Sequence, residues 1–431
     1  MDAYVEKIAQ VPAWDNGAGP LWGKASSVIA RIDGDVIVSL PELNPLMTNL
    51  SRVSPVLYMK RGSAPFKRMY HDPMHFTREP MPLMRASDGS LIMTTNPMLG
   101  QPRYDGPRSG DPSQPELLFF RPEERYQALV REVPRWSESF YFMEHSYRNC
   151  AFDRDTNEML LVNQFLEDNE GKFAWAYRDA NGAYVNGGRL TFPVRACYAP
   201  ISLRNRQVHI VAVSDVTEPN ATWKACKFEH TQRAWDYDFR MLLYKNCDDI
   251  TKGQFTDTVC IASRDETCGH VFPQDIYVDA DHVCHVLYTT KRIWHPFMRD
   301  RFFPEQRFES TLEYAAVKNG SVIHRAILDR DAEASDGAFI ETEYCASLQE
   351  RSDGSMVVLY SKWNAPGHAC RGNGYYCTRL TMPDDAVSIQ LSLPAAMFCL
   401  AGPRAGNLPG DTADLFILAG EEAFYASVHL V

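Results

Sequence analysis

The chain has 431 residues, of which 45% are hydrophobic, 12% aromatic and 23% charged. This is the composition of a globular protein, and it excludes the disordered, collagen-like and coiled-coil classes. The formal net charge of −11, from 44 basic and 55 acidic side chains, argues against a nucleic-acid partner. No apolar run approaches the ~18 residues of a membrane span, so we expect no membrane partner either.

The eleven cysteines occur singly and form no CxxC pair. The N-terminal residues MDAYVEKIAQVPAW lack the basic start and apolar run of a signal peptide. We therefore interpret the cysteines as reduced thiols of a cytoplasmic protein. The alternative is a secreted or periplasmic protein whose signal peptide has been removed, which is weakly favoured by glycosylation sequons at Asn49, Asn220 and Asn319.

A short pattern recurs along the chain, in which two apolar runs flank a turn rich in Asp, Asn and Gly. Such a turn is a strong hairpin signal, so each copy predicts two antiparallel strands. In chain order the seven copies are SSVIARIDGDVIVSL from Ser26, MPLMRASDGSLIMTTN from Met81, NCAFDRDTNEMLLVNQ from Asn149, YAPISLRNRQVHIVAVSD from Tyr198, PQDIYVDADHVCHVLYTT from Pro273, ASLQERSDGSMVVLYS from Ala346 and RAGNLPGDTADLFILAG from Arg404.

A second hairpin follows most copies, with its turn at Asn181-Gly182 in one and at Asn319-Gly320 in another. Two hairpins make a four-stranded sheet, and seven units average about 62 residues, somewhat more than the ~40–50 of a propeller blade. The sequence therefore predicts an all-β, seven-bladed β-propeller that occupies residues 1–431 as a single domain. The last unit lacks one strand, which AYVEKIAQV at the N-terminus can supply to close the ring.

Two other folds are less compatible with this pattern. A β-sandwich does not predict seven similar hairpins, and almost no stretch keeps a helical period. The best helical candidate is PEERYQALVREV from Pro122. The extra length lies between the second and third strands of units two, four and five, where it would wall in the mouth of the central channel.

Ligand sites in propellers lie where the innermost strands begin, so we take the polar residues just before each repeat as candidates. Arginine, tyrosine and histidine dominate this set, which suits an acidic, hydroxyl-rich sugar. The alternative is that the arginines pair with acidic residues of neighbouring blades. We favour ligand binding for the set as a whole, because repeated cations that face one channel repel one another unless an anionic ligand binds. The candidates are Trp22, Lys24, Arg78, Glu79, Glu144, His145, Tyr147, Arg148, Arg195, Tyr198, His270, Asp275, Glu341, Glu343, Tyr344 and Arg404.

The arrangement resembles the sialidase-like and BNR-type propellers and, within that group, propeller polysaccharide lyases of the ulvan lyase kind. The resemblance rests on His145 before one blade, Tyr198 with Arg195 before the next, and His270 one blade later. It implies that the histidine and tyrosine act as base and acid while an arginine or histidine neutralises a uronate carboxylate. The Asp-box pattern SxDxGxxW of the sialidase branch is missing from every turn.

The residues support this chemistry without the resemblance. Arg195 or Arg148 could neutralise the carboxylate, His145 could remove the adjacent proton, and the Tyr198 phenol could protonate the leaving oxygen. We therefore predict an enzyme that cleaves an acidic oligosaccharide by β-elimination.

Two alternatives remain open. An exo-acting glycoside hydrolase would use two carboxyl groups from among Glu79, Glu341, Glu343 and Asp275. The other is a carbohydrate-binding propeller without catalysis. We predict no cofactor and leave bound calcium or zinc open.

Overall fold

The computed structural model describes residues 1, 3–12, 16–23, 27–105, 110–124, 126, 129–168, 170–234, 236–333, 341–364, 372–380 and 382–430. Within these residues, seven antiparallel sheets are arranged in a ring. The predicted all-β, seven-bladed propeller is confirmed.

The chain begins with β1 (Ala3–Gln10), which joins the last blade. Blade one contains β2 (Ile29–Ile32), β3 (Asp35–Ser39), the short pair β4 (Glu42–Leu43) and β5 (Val53–Ser54), β6 (Val56–Arg61) and β7 (Lys67–His71). Blade two contains β8 (Leu83–Arg85), β9 (Leu91–Thr95), β10 (Glu116–Phe120) and, after a 3-10 turn at Pro122–Glu124, β11 (Leu129–Glu132). Blade three contains β12 (Asn149–Asp153), β13 (Glu158–Glu167), β14 (Glu170–Arg178) and β15 (Tyr184–Leu190).

Blade four contains β16 (Ala196–Cys197), β17 (Ile201–Arg204), β18 (Gln207–Ser214), β19 (Val216–Thr217), helix α1 (Ala221–Thr231), β20 (Tyr237–Asp238), β21 (Met241–Cys247) and β22 (Val259–Ser263). A 3-10 turn at Asp265–Thr267 leads to blade five, which contains β23 (His270–Val278), β24 (Cys284–Lys291), helix α2 (Pro296–Phe302), β25 (Glu309–Lys318) and β26 (Ser321–Ala332). Blade six contains β27 (Thr342–Glu350), β28 (Met356–Asn364), β29 (Gly374–Arg379) and β30 (Met382–Ile389). Blade seven contains β31 (Met397–Leu400), β32 (Thr412–Ala419) and β33 (Glu422–His429).

Neighbouring blades share the buried apolar side chains that hold the ring together. Seven clusters of buried residues occupy the seven blade-to-blade interfaces. The ring is closed as predicted, because β1 pairs antiparallel with β33 from Ala3 opposite Val428 to Gln10 opposite Glu422. Strands from the two ends of the chain thus complete one sheet, and β33 is covered on both edges.

We call the end of the channel at which the innermost strands begin the upper end, and the other the lower end. The long connections of blades two, four and five join the second strand to the third and lie at the upper end, as expected. Helix α1 begins in the blade-four connection, where the Asn220 side chain accepts from the backbone N–H groups of Thr222 and Trp223. Among the described residues, neither α-helix is long and apolar enough to cross a bilayer.

Two sequence-based expectations about local structure were wrong. The best helical candidate, from Pro122, contains a 3-10 turn and β11, because its apolar residues Leu129 and Val130 pair with β10 instead of lying on one helical face. The innermost strand of blade seven is β31, so Arg404 follows that strand and does not precede it.

Residues 402–407 instead cross the channel. The Arg85 N–H donates to the Ala405 carbonyl, the Phe152 N–H donates to the Arg404 carbonyl, and the Asn407 side chain accepts from the Arg31 N–H. Gly406 has φ +81°, and a Cβ there would lie 2.1 Å from the Arg85 carbonyl oxygen. This segment, which we call the plug, separates the two ends of the channel and requires glycine at the point of closest approach.

The ten described cysteines are free, and nine of them are buried; Cys260 is exposed. The eleventh, Cys370, lies outside the described residues.

Candidate functional site

Four aromatic side chains meet at the upper end of the channel. The Trp22 ring centroid lies 5.1 Å from that of His145, 5.0 Å from that of Tyr147 and 5.3 Å from that of Tyr198. Tyr147 and Tyr198 meet edge to face at 5.0 Å. All four residues were candidates from the sequence, and the structure brings them together in one site.

The two tyrosines have the same unusual backbone conformation. Tyr147 lies just before β12 and Tyr198 just before β17, with φ values of +43° and +47°. This left-handed region is costly for a bulky side chain, by roughly 1–3 kcal/mol, and such strain concentrates at functional sites. Adjacent blades thus place equivalent phenol rings beside each other at the upper end of the channel.

A buried carboxylate supports His145. Glu79 Oε1 lies 3.4 Å from His145 Nδ1, and the Glu79 carboxylate accepts from the Ser146 N–H at 2.7 Å and the Ser146 hydroxyl at 2.5 Å. Burial alone would raise the pKa of Glu79, but His145, Arg148 and Ser146 hold it below its ordinary value. His145 Nδ1 makes no hydrogen bond of good geometry within the described residues, but the carboxylate charge 3.4 Å away favours a proton on that nitrogen, with Nε2 as the acceptor.

The hydroxyls of the two tyrosines differ in their surroundings. Tyr147 is hydrogen-bonded to His145 Nε2 at 3.0 Å, whereas the Tyr198 hydroxyl makes no hydrogen bond to any residue that the structure describes. Burial raises the pKa of both phenols, so both are protonated at neutral pH. Among the described residues, the Tyr198 hydroxyl is therefore a proton donor without a hydrogen-bond partner.

Arg195 supplies a positive charge next to this group. Its Nη2 lies 3.0 Å from Asp215 Oδ2, and Asp215 is fully buried at the end of β18. Burial raises the pKa of Asp215, while Arg195 and Cys197 oppose the rise. Burial also raises the pKa of the Cys197 thiol, which makes it a poor nucleophile.

The expected repulsion among arginines does not occur, because each of the four has an acidic neighbour that offsets its charge. This corrects the argument that the set needs an anionic ligand. Arg195 has the most exposed side chain of the four, at 25%. The other pairs are Arg78 with Glu144 at 3.3 Å, Arg148 with Glu79 at 3.8 Å, and Arg404 with Asp275 at 2.9 Å.

The remaining candidates lie apart from this group. His270 stacks with Phe272, which contacts the Tyr198 ring at 4.9 Å. Burial, with Lys291 and His295, lowers the pKa of His270 to about 3, so His270 is neutral. The Tyr344 hydroxyl donates to Asp329 at 3.0 Å.

The acidic candidates of blade six are engaged by a lysine. The Lys291 ammonium donates to both Glu341 and Glu343, at 2.5 Å each. Lys24, the remaining candidate, lies outside the described residues.

Trp22 contacts the other three rings of this group. It lines a cavity of about 30 Å³ together with Glu79, Tyr147, Arg148 and Tyr198. This space is enough for about a water molecule and too small for a sugar ring. His145 does not line this cavity, and its side chain is 31% exposed, so a saccharide can approach it from outside without entering the cavity.

Sequence reasoning did not assign roles to Tyr147 and Asp215. Tyr147 carries a weak signal, since it stands two residues after His145, but the contact depends on its positive φ. Asp215 follows the second strand of its blade, whereas the sequence-based candidates other than Arg404 lie before or within an innermost strand. No group of three or more described His, Cys, Asp or Glu residues is placed to hold a metal ion.

Comparisons with known proteins agree with this architecture. No family model matches the chain, and no curated protein sequence does. Among solved structures, a PL25 ulvan lyase bound to -[GlcA(1-4)Rha3S]- has 8% identity and a TM-score of 0.57, over 97% of this chain and 94% of that one. The polysaccharide lyase Uly1 has 8% identity and a TM-score of 0.52, over 99% and 93% of the two chains. This chain therefore shares the seven-bladed propeller fold of the ulvan lyases.

Proposed function

We propose that this protein is a carbohydrate-active enzyme that cleaves an acidic, uronate-containing oligosaccharide by β-elimination at the upper end of the channel. The observation that carries the proposal is the Glu79–His145 pair beside the unengaged hydroxyl of Tyr198. An acceptor nitrogen and a free phenol on one surface are what an elimination needs as base and acid. The fold shared with an ulvan lyase whose ligand contains glucuronate supports the choice of substrate.

Each group has one task in the reaction. The Arg195 guanidinium binds the uronate carboxylate and stabilises the charge that develops on it. His145 Nε2 removes the proton from the carbon next to that carboxylate. To do so, the nitrogen gives up its hydrogen bond with the Tyr147 hydroxyl. The electron pair of the broken C–H bond forms a carbon–carbon double bond, the C–O bond to the leaving sugar breaks, and Tyr198 protonates the departing oxygen. No water is consumed.

The hydrolase alternative needs two carboxyl groups that are free to act. Glu341 and Glu343 share Lys291, and Asp275 is paired with Arg404 while it also accepts from the Leu348 N–H at 2.9 Å. These contacts favour a structural role for the three carboxylates, and they support elimination over hydrolysis.

The first test is a product assay. The protein is incubated with glucuronate-containing, sialylated and neutral oligosaccharides, and products are followed by mass and ultraviolet absorbance. Elimination gives an unsaturated, absorbing uronate and products whose masses sum to that of the substrate. Products that carry oxygen from isotopically labelled water, without absorbance, would identify a hydrolase. Tight binding with intact recovery of every sugar would identify a binding protein.

The second test uses variants of the three proposed groups. His145→Ala and Tyr198→Phe should each lower kcat by ~10²- to 10⁴-fold with little change in KM. Arg195→Ala should raise KM and lower kcat, because the carboxylate contact exists in the ground state and strengthens in the transition state. If Tyr147→Phe abolishes turnover and Tyr198→Phe does not, the assignment of the acid to Tyr198 is wrong.

A further inference from the structure

A second cavity opens at the lower end of the channel, on the other side of the plug from the candidate active site. Its volume is about 380 Å³, which lies within the ~300–1,000 Å³ range of small-molecule sites. Residues 407–412 form one wall, and the lower ends of blades one, two and six form the others. None of the residues that take part in the proposed reaction lines this cavity.

Arg85, the last residue of β8, lines the cavity, and its side chain lies in an unusual environment. It is 7% exposed, its Nε is buried, and its guanidinium makes no hydrogen bond or ion pair with any residue that the structure describes. A buried charge without a partner is costly and is seldom kept without one. An anionic ligand bound in the cavity would supply this partner.

Two of the aspartates that line the cavity, Asp411 and Asp414, are each paired with an arginine other than Arg85. Arg31 is paired with Asp414, which also accepts from the Tyr425 hydroxyl at 2.6 Å. Arg351 lies 3.0 Å from Asp411. These two pairs are neutral, so the lining offers one uncompensated positive charge that is buried.

The charge balance limits the kind of anion. Asp411 and Asp414 are already paired with arginines, whereas Asp33 is exposed at the rim and lies beyond ion-pair distance of Arg85. A doubly charged anion would meet one free cation and the Asp33 carboxylate, whereas a single carboxylate matches the charge of Arg85. Gln349 uses its Nε2 to donate to the Glu350 carbonyl at 2.9 Å, which leaves its Oε1 as an acceptor for a hydroxyl.

We propose that the lower cavity binds a small hydroxylated monocarboxylate of about the size of a sugar acid, with its carboxylate on the Arg85 guanidinium. The fork of a guanidinium accepts a carboxylate bidentately. The plug lies between this site and His145, so binding here does not compete with a substrate at the upper end. The inference is independent of the proposed lyase activity.

The test measures binding of glucuronate to the full chain by calorimetry, with glucose and inorganic phosphate as comparison ligands. Glucuronate should bind, glucose should bind at least ~10-fold more weakly, and phosphate should bind more weakly than glucuronate. Arg85→Met should lose at least ~10-fold in affinity, whereas Arg68→Met, on the outermost strand of blade one, should keep the wild-type affinity. No binding by the wild-type chain, or phosphate binding as tight as that of glucuronate, overturns the proposal.

Two further results separate a binding role from the alternatives. Without ligand, Arg85→Met should unfold at the same temperature as the wild-type chain or higher, because the change removes an unpaired buried charge. A lower unfolding temperature would show that Arg85 is structural and overturns the proposal. Equal affinity in Arg85→Met with loss in Arg195→Ala would place glucuronate at the upper end, which also overturns it.

Discussion

Replacing Glu79 with glutamine tests whether the buried carboxylate makes His145 a base. The carboxylate accepts two short hydrogen bonds from Ser146 and lies 3.8 Å from the Arg148 guanidinium, which is itself buried. Glutamine keeps the shape but removes the charge, and it turns one acceptor into a donor. Breaking a buried ion pair from one side costs ~3–5 kcal/mol, so the free energy of unfolding should fall by about that amount. With the ring proton no longer fixed on Nδ1, kcat should fall by ~10²- to 10⁴-fold.

The pH dependence of stability gives a second readout of the same variant. The pKa of Glu79 in the folded protein lies below its ordinary value of 4.5. Its contribution to stability is therefore complete above the unfolded-state pKa and is lost as the pH falls through the lower folded-state pKa. Glu79→Gln should flatten the loss of stability in that acidic window, as measured by denaturant unfolding at several pH values.

Glu350→Gln is the matched control. Glu350 is 7% exposed and accepts from Arg154 at 2.6 Å and from the Tyr277 hydroxyl at 2.7 Å, far along the inner strand from the upper end. This variant should lose a similar amount of stability and keep kcat. Wild-type kcat in Glu79→Gln would refute the role of the carboxylate. An equal fall of kcat in Glu350→Gln would show that the loss comes from destabilisation alone.

Two further predictions concern the ring itself. Deletion of residues 1–10 removes β1 and the 2.7 Å ion pair of Glu6 with Lys60, so the thermal unfolding midpoint should fall and the exposed β33 edge should promote association, seen by calorimetry and light scattering; an unchanged midpoint would show that closure does not stabilise the ring. Gly406→Ala places a Cβ 2.1 Å from the Arg85 carbonyl oxygen at a positive φ, so it should cost at least ~2 kcal/mol in denaturant unfolding. Wild-type stability in that variant would mean that the plug can leave the channel without lowering the free energy of unfolding.

The blades were predictable because their turns are local. Asn319 and Gly320 form the turn between β25 and β26 with φ values of +51° and +72°, which few other residue pairs adopt. Blade closure was also predictable, since a missing strand at one end of the chain left only the other end to supply it.

The plug was not predictable for the opposite reason. Strand β31 has four residues, which is too short to stand out, and the turn-rich stretch after it imitates the start of another repeat. What fixes residues 402–407 are contacts with Phe152 and Arg85, which lie more than two hundred residues away in the chain. Distant contacts of this kind leave no periodic pattern, so Arg404 was assigned to the wrong side of its strand.

The charge pairs of the site were unpredictable on the same grounds. The sequence shows Arg195 near Tyr198, and both lie where they were expected. It does not show that Asp215, at the far end of the next strand of the blade, returns to within 3.0 Å of that arginine. Strand lengths decide which side chains meet at a blade end, and a difference of one residue would turn Asp215 to the other face of its sheet.

The division of roles between the two tyrosines can nevertheless be traced to the sequence once the backbone is known. Tyr147 and Tyr198 occupy equivalent positions in adjacent blades and share the left-handed conformation. The residue two positions before Tyr147 is His145, whereas the residue two positions before Tyr198 is Ala196. Alanine has no polar side-chain group to bond the phenol. The Tyr147 hydroxyl is therefore bonded to an imidazole, whereas the Tyr198 hydroxyl has no partner within the described ranges. A single difference between two copies of one structural unit thus separates the proposed base, with its bound tyrosine, from the tyrosine proposed as the acid.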